Sequence, residues 1–581
     1  MSDSSRADAP ATPAATPAAT PAAASATVGA DPLTRSIGSP HDCATSSIAA
    51  CARDALDLWL PDTLREVERA AAAQLPAHTL MARAGAAVAE WLIGRLPALA
   101  SAGRQPVLLL AGPGNNGGDA YVAARELHRR GVLVDVWQLG APSTDDARWA
   151  HAHALAAGVP VQSAPTLWPQ RSSDYAWIVD GLFGIGLTRP LEGPAAALVE
   201  RVVEAHAQGT PVLAIDIPSG LAAATGVVDG PVIHADITMA MLGASPGLLT
   251  GMGRDVAGEV LIATLGTDEV LAAVRSGRPD GHAVATSAPA AFRAHLPQRH
   301  HASHKGSYGS LAVLGGHEGM IGAPLLCARA GLMTGAGRVY VGFVAHDAPA
   351  WDPQHPELML RHAENLDLAT MHTVSVGPGL GTSAASAACL SRALALDDTP
   401  LVIDADALNL LAADPALAER VRRRAGPTVL TPHPLEAARL AGDDVARVQS
   451  DRLACARALA QRFGATVVLK GSGSVIDDGT HAWINTTGNA GLATAGTGDV
   501  LTGAIGALLA QGMPAPQAAL AAVWLHGRAA ERCVAAGAGP AGLTASELLP
   551  AMRAELADLM NEARCAKRST QALRTAPAGS P

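Results

Sequence analysis

The sequence predicts an α/β protein of two domains built on mostly parallel sheets, and three observations carry that expectation. The chain has 581 residues, room for two to four domains. Hydrophobic residues make up 49% and aromatic residues only 3%, so large cores must be assembled from Ala, Val, Leu and Ile. Short β-branched runs alternate with Ala/Leu/Arg-rich stretches in two successive blocks, the pattern of βα units.

Taken in order, residues 1–50 are rich in Ala, Pro, Thr and Ser. Prolines every few residues forbid a helix, so a disordered tail is expected. The first domain is assigned to 51–270. A helix over 62–96 precedes strands at 107–112, 132–139, 177–183, 212–218, 237–242 and 259–266. Residues 271–300 carry turn residues without a sustained period and read as a linker. The second domain, 301–560, has strand runs at 310–316, 338–343, 372–379, 401–406, 427–433 and 466–473, and a late helix over 498–512. Residues 561–581 read as a second disordered tail.

Charge and cysteine usage exclude several functions. The net charge of −10 disfavours general nucleic-acid binding, which needs clustered cations. Seven scattered cysteines without a CxxC pair argue against a zinc site or a disulfide framework and for a reducing compartment. No apolar run approaches the ~20 residues that span a bilayer, and no basic-then-apolar leader opens the chain. A cytoplasmic protein without membrane partners is expected.

In the first block, GPGNNGGD (112–119) follows a strand. A turn over Gly112–Gly118 and a helix beginning near Asp119, with that carboxylate as its cap, are expected. The carboxyl end of a parallel strand is where open α/β sheets bind ligands, and glycines let backbone N–H groups approach an anion. The motif is not GxGxxG, so an ordinary dinucleotide site is disfavoured. DGLFGIGLTRP (180–190) and DIPSGL (216–221) also follow strands, so three loops converge on one crevice. Asp180 and Asp216 sit at strand ends.

These motifs, with LMARAG at 80–85, resemble the YjeF N-terminal family of NAD(P)H-hydrate epimerases over about residues 60–268. The resemblance implies a Rossmann-like three-layer α/β/α domain and a potassium ion held by Asn116, Asp180 and Ser219, oxygen donors suited to a hard cation. It also implies that the hydrated cofactor contacts Asn115, Asn116, Gly117, Gly118, Asp119, Gly184, Ile185, Gly186, Leu187, Thr188, Arg189, Pro190 and Asp216. Ala120 stands where the family usually has Gly. The block contains no lysine, so the family's proposed catalytic lysine has no counterpart, and Asp216 is the preferred proton-transfer group.

In the second block, Gly496-Thr497-Gly498 precedes an apolar helix beginning near Asp499. Free N–H groups at such a helix start form an anion site. An acid placed there is suited to take a proton from an attacking hydroxyl, or serves as a plain N-cap. GTGD resembles the ribokinase superfamily, in which this Asp is the catalytic base. HKGSYG (304–309), LGGHEGMIGAPLL (314–326), GPGLG (377–381), DADALN (404–409), TPHPLE (431–436) and LKGSGSVI (469–476) follow one another in the chain. Together they resemble the YjeF C-terminal family, the ADP-dependent NAD(P)H-hydrate dehydratases, over about residues 300–555.

That resemblance implies a ribokinase-like α/β domain. Ala323, Gly381, His433 and Asp499 would contact the hydrated cofactor. Lys470, Gly471, Ser472, Gly473, Ser474 and Gly498 would bind the nucleotide. Only three lysines occur, Lys305, Lys470 and Lys567, and Lys470 is expected to offer its charge to a phosphate. His433 sits between two prolines that stiffen its loop, and a structural histidine is the alternative reading. The whole pattern implies a bifunctional repair enzyme acting on NADHX, NADPHX and ADP, with potassium in the first domain and magnesium in the second, and a homo-oligomer. Two alternatives stand beside it: a ribokinase-superfamily small-molecule kinase with a non-catalytic first domain, and an RNA-processing scaffold like the enhancer-of-decapping fold.

Overall fold

The computed structural model describes residues 45–47, 54–96, 105–165, 175–277 and 283–575. The first strands in chain order are β1 (Thr45–Ser47), β2 (Asp57–Leu58), β3 (Val107–Ala111), β4 (Val134–Gln138), β5 (Val161–Ser163), β6 (Trp177–Gly181), β7 (Val212–Ile215), β8 (Ile237–Met241) and β9 (Glu259–Ala263). All except β2 form one sheet, in the order β1-β9-β8-β7-β6-β3-β4-β5. From β9 to β5 every pairing is parallel, and β1 joins antiparallel at the edge. The chain winds outward from β3 in one direction and from β6 in the other, so the two meet at a switch point that opens a crevice at their carboxyl ends.

Alternate residues of β3 serve opposite faces, as the pleat requires. Val107, Leu109 and Ala111 pack with helices Thr79–Ile93 and Asn115–Arg129, while Leu108 and Leu110 pack with helix Gly193–Ala207. This is the expected three-layer α/β/α arrangement.

The remaining strands are β10 (Val284–Ser287), β11 (Ser310–Gly315), β12 (Arg338–Phe343), β13 (Met359–His362), β14 (Thr373–Val376), β15 (Leu401–Ile403), β16 (Thr428–Leu430), β17 (Thr466–Leu469), β18 (Val475–Asp477) and β19 (Ala482–Asn485). They form the second sheet, in the order β13-β12-β11-β14-β15-β16-β17-β18-β19-β10-β2. Strands β11 to β17 pair in parallel, and β18 runs antiparallel to both neighbours. Helices Thr497–Ala510 and Ala515–Ala535 fill one of its cores through Val500, Ile505, Leu520 and Leu525. The α/β class with mostly parallel sheets is therefore what the chain adopts.

Several boundaries differ from expectation. The helix expected over 62–96 is two, Pro61–Ala72 and Thr79–Ile93; Pro76, which has no N–H to continue a helix, lies in the break. The helix expected near Asp119 begins at Asn115, so the NNGG residues form its first turn rather than a loop, and Asp119 is not its cap. Of the tail expected at 1–50, Thr45–Ser47 forms β1; the rest lies outside the described residues. Helix Ala545–Thr575 runs through most of the tail expected at 561–581, because residues 561–575 contain neither Pro nor Gly to stop it.

The expected linker is also structured. Helix Asp268–Ser276 enters it, and β10 pairs in parallel with β19 and antiparallel with β2. One apolar cluster joins the two halves: Ile217, Leu221, Leu248 and Val256 pack with Leu58, Val284, Ala482 and Ile484. Residues 43–581 accordingly form one compact unit. Among the described residues no helix is long and apolar enough to cross a membrane, and Cys327, Cys389, Cys455 and Cys533 are free thiols.

Candidate active sites

The first crevice is a cavity of about 670 Å³ at the carboxyl ends of β3, β6, β7 and β8. Three loops reach it, as expected. Asn115, Asn116 and Asp119 come from the first turns of helix Asn115–Arg129, Gly184 to Arg189 from the loop after β6, and Asp216 from the end of β7. Gly117 and Gly118 do not line it. Gly117 packs on the Gly112 backbone and Gly118 on Met81, so they serve helix packing. Pro190 lies outside the cavity and is exposed.

Asp180 and Ser219 sit beneath the cavity floor, both fully buried. Ser219 donates its N–H (2.8 Å) and its hydroxyl (2.7 Å) to the Asp180 carboxylate, and Leu182 N adds a third bond at 3.1 Å. Burial outweighs these donors and pushes Asp180 up to about 6. Asn116 is buried with neither its Oδ1 nor its Nδ2 hydrogen-bonded. A buried amide is ordinarily satisfied, so its oxygen is free for a ligand. Asn116, Asp180 and Ser219 offer amide, carboxylate and hydroxyl oxygens, the donor type that suits hard cations.

Asp216 has φ +68, a left-handed backbone uncommon for a residue with a Cβ. Its carboxylate accepts from Ile185 N at 3.1 Å and Met241 N at 3.5 Å. Burial pushes it up to about 6. Gly184 keeps the space open, since a Cβ there would lie 2.7 Å from Asp216 Oδ2 and 3.6 Å from Asn116 Cβ. Burial and then the charges of Asp216, Glu68 and Asp146 hold Asp119 well above the usual carboxylate range. The cavity is therefore a group of carboxyls able to hold protons near neutrality.

Sequence reasoning missed Glu68, His78 and Asp146, which also line this cavity. Glu68 accepts from Asn115 Nδ2 at 3.5 Å. His78 Nδ1 pairs with Asp146, and its ring stacks on Trp149 with centroids 4.7 Å apart. Glu68 and Asp146 lie on helices and His78 stands at the N-cap position of another, and none of the three stands in a motif.

The second site lies at the carboxyl ends of β14 to β17, neighbours in the sheet. Each contributes one loop: Gly381 after β14, Asp404 and Asp406 after β15, His433 and Glu436 after β16, and Lys470 after β17. Helix Thr497–Ala510 points its amino end at them. Its cap residue Gly496 has φ +88, and no side chain caps the helix. Asp499, the third helical residue, is therefore not the N-cap, and its carboxylate is left for other work. Burial, and next the Asp404 charge, push Asp499 up to about 7 against the opposing pull of Lys470.

Lys470 already has carboxylate partners. Its ammonium is committed to Asp404 Oδ1 at 2.8 Å and lies 3.9 Å from Glu436 Oε2. Burial opposes the charged form, yet Asp404 and Glu436 outweigh it and raise the lysine above its ordinary value. Thr502 donates to Asp404 Oδ2 at 2.7 Å, so the pair is anchored on the same helix as Asp499. A Cβ at Gly498 would lie 3.4 Å from the ammonium. Lys470 thus joins its loop to the helix amino end rather than presenting a free charge. Asp404 and Glu436 stand in the DADALN and TPHPLE motifs, but only the fold shows that they face Lys470.

His433 is the N-cap of helix Pro434–Ala441. Its Nδ1 accepts from Leu435 N and Glu436 N, while Glu436 returns a bond to His433 N at 2.8 Å. The cap engages Nδ1 and leaves the side chain 46% exposed. Gly381 N donates to Asp406 Oδ2 at 2.8 Å, and Ala323 stands near Gly379 on helix Gly322–Met333.

A cavity of about 550 Å³ adjoins this network, lined by Lys470, Gly471, Ser472, Ser474 and Gly498. Gly473 instead faces away and is buried. Ala323, Gly381, His433 and Asp499 do not line this cavity. His526, which sequence reasoning missed, lines it with Nε2 buried and unpartnered, and burial pulls its pKa down to about 4.

The two halves of the chain match two known families. Residues 77–247 match the family described as YjeF-related protein N-terminus, and residues 311–552 match the NAD(P)H-hydrate dehydratase family. The ADP-dependent (S)-NAD(P)H-hydrate dehydratase of Neisseria meningitidis serogroup B is 48% identical over 43% of this chain and 86% of its own. A crystal structure of the ADP/ATP-dependent NAD(P)H-hydrate dehydratase of Bacillus subtilis, co-crystallised with ATP/Mg2+, is 31% identical and covers 47% of this chain and 95% of that one, with a TM-score of 0.40. The bifunctional NAD(P)H-hydrate repair enzyme Nnr of Escherichia coli K12 is 37% identical over 85% of this chain and 93% of its own length, and this chain belongs to the family of bifunctional NAD(P)H-hydrate repair enzymes.

Proposed function

We propose that the two cavities divide the work of an NAD(P)H-hydrate repair enzyme: the first interconverts the R and S hydrates, and the second dehydrates the S form at the expense of ADP. The observation that carries the second assignment is the uncapped Asp499 carboxyl, raised to about 7, at the amino end of a helix beside a glycine-lined cavity. A carboxyl titrating near neutrality is suited to accept a proton from an alcohol.

In the dehydratase site, Asp499 takes the proton of the 6-hydroxyl as that oxygen attacks the terminal phosphorus of ADP. AMP leaves. The ring nitrogen's electron pair then expels phosphate from C6, and loss of the C5 proton restores the dihydronicotinamide. Amides of the 470–474 loop and of the helix start at Thr497 and Gly498 hold the phosphates. Magnesium bound with the nucleotide would offset the charge of its phosphates. Ala323, Gly381 and His433 would flank the hydrated ring.

In the epimerase site, Asp216 shuttles the proton of the C6 hydroxyl as the ring opens and recloses. Asn116, Asp180 and Ser219 would hold potassium, which supplies a fixed positive charge toward the substrate's phosphates. The cavity residues from Asn115 to Asp119 and from Gly184 to Arg189 would orient the ribose and ring.

Product analysis tests the reading. Purified S hydrate with ADP should yield NAD(P)H, AMP and phosphate in equal amounts, and R hydrate should be consumed only through the S form. A stable phosphorylated product without recovery of absorbance at 340 nm would replace it with a kinase.

A further inference from the structure

The cavity that contains Lys470, Gly471 and Gly498 has two further lining residues, Arg254 and Asp255, which come from the other half of the chain. They sit on a short segment that leads from β8 back to β9. This segment grips two separate loops of the second half.

The first grip is on the loop after β17. Thr250 is fully buried. Its hydroxyl lies 3.3 Å from Ser472 O and 3.1 Å from Gly473 O, and it accepts from Arg452 Nε at 3.2 Å. Gly251 N donates to Ser472 O at 3.1 Å. Arg452, itself buried, also donates to Leu469 O and Lys470 O. Gly473 has φ +61, and a Cβ there would lie 2.0 Å from Leu249 O. The loop's carbonyls are thus held from behind by the first half, while Gly471 and Ser472 remain exposed on the cavity side.

The second grip is on the turn after β19. Arg254 donates to Thr486 O at 3.1 Å, Thr487 O at 3.3 Å and Gly488 O at 3.1 Å. That turn leads to Asn489 and on to the helix start at Thr497. Glu531, which accepts from Gly488 N at 2.8 Å, braces the same turn from the opposite side. The guanidinium's flat fork suits several carbonyls at once, as a lysine ammonium would not.

We propose that Thr250 and Arg254 are positioning residues of the nucleotide site: the first half of the chain sets the spacing between the two loops that receive a nucleoside diphosphate, and so sets the affinity for it. This rests on the assignment of the 470–474 loop and Gly498 to the nucleotide. Carbonyls fixed from behind leave the loop's N–H groups already aimed at the anion, so little ordering remains to be done on binding.

Steady-state kinetics on the full chain test this, with ADP varied at saturating S hydrate. Thr250→Val should raise the KM for ADP about tenfold, the loss expected for one or two hydrogen bonds, with kcat changed less than about twofold. Thr250→Ser, which keeps the hydroxyl, should restore the wild-type KM. Arg254→Ala should act in the same direction and Arg254→Lys should recover only part of it. Epimerisation should be unaffected in all four. Hydrogen exchange on the wild-type chain gives a reading that needs no variant: ADP should slow amide exchange in 249–256 as well as in 470–474. Protection of 470–474 without 249–256, together with an unchanged KM in Thr250→Val, overturns the positioning role and leaves the nucleotide site standing. Absence of protection at 470–474 overturns the site assignment itself. A loss of kcat with unchanged KM, not rescued by Ser, would make Thr250 a structural residue only.

Discussion

The two cavities solve opposite electrostatic problems. The first gathers Asp119, Asp216, Glu68 and Asp146 around one space, with an unpartnered Asn116 amide at its base and no lysine in its half of the chain. The second sets a half-buried lysine against two carboxylates, Asp404 and Glu436, beside glycine-rich loops and a helix amino end. On the proposed function, the first site would draw on an added cation and on the raised carboxyls of Asp119 and Asp216, and the second on fixed dipoles with Asp499 as the proton acceptor. Burial first and like charge second raise a carboxyl in each, Asp119 in the first and Asp499 in the second; only Asp499 has a neighbouring lysine that partly offsets the rise.

The sharpest test of that division is Asp499→Asn. Dehydration should fall by about 10²–10⁴-fold, the contribution of a general base, while epimerisation by the same protein stays within about twofold. Asp216→Asn should do the converse, slowing R-to-S interconversion by about 10²-fold or more and sparing turnover of pure S hydrate. Equal loss of both activities in either variant would dissolve the comparison.

Next in size is the Lys470–Asp404 pair. Lys470→Met leaves a buried carboxylate unpaired and should cost about 3–5 kcal/mol, read as a lowered melting temperature. Lys470→Met with Asp404→Asn should recover much of that loss. If the single variant melts normally, the lysine's charge is not committed as described.

The pH profiles should separate the sites more finely. Dehydration kcat/KM should fall about tenfold per pH unit below about 7, as Asp499 takes up its proton; the corresponding limb for epimerisation should lie near 6, the value of Asp216. Stability has the opposite sign. Asp499 is raised in the folded state, so its contribution to stability is fully present below the ordinary carboxylate range and is lost as pH rises through about 7. Asp499→Asn should therefore raise the melting temperature more at pH 8 than at pH 5. The smallest effect is expected from potassium: replacing it with tetramethylammonium should slow epimerisation severalfold and leave dehydration unchanged.

The sequence by itself determined the α/β class, the order of the motifs and the residues that reach each crevice by following a parallel strand. Those features are local. A β-branched run that ends in an acid before a loop places that acid at a strand's carboxyl end whatever the rest of the chain does, and so Asp180 and Asp216 could be named in advance, whereas Gly381 and Lys470 are named through the family resemblance. Tertiary structure alone decided what those residues touch. Nothing near Lys470 in sequence announces Asp404, 66 positions away, and nothing near Ser472 announces Thr250, 222 positions away. Short elements also escaped: β2 has two residues and β10 four, too few for a hydrophobic period to emerge, yet together they close the second sheet against the first half. That His433 caps a helix showed only once the amides it accepts from were placed. Pairings made across hundreds of residues are set by how sheets and helices stack, and that information is distributed over the whole core rather than written beside the residues it brings together.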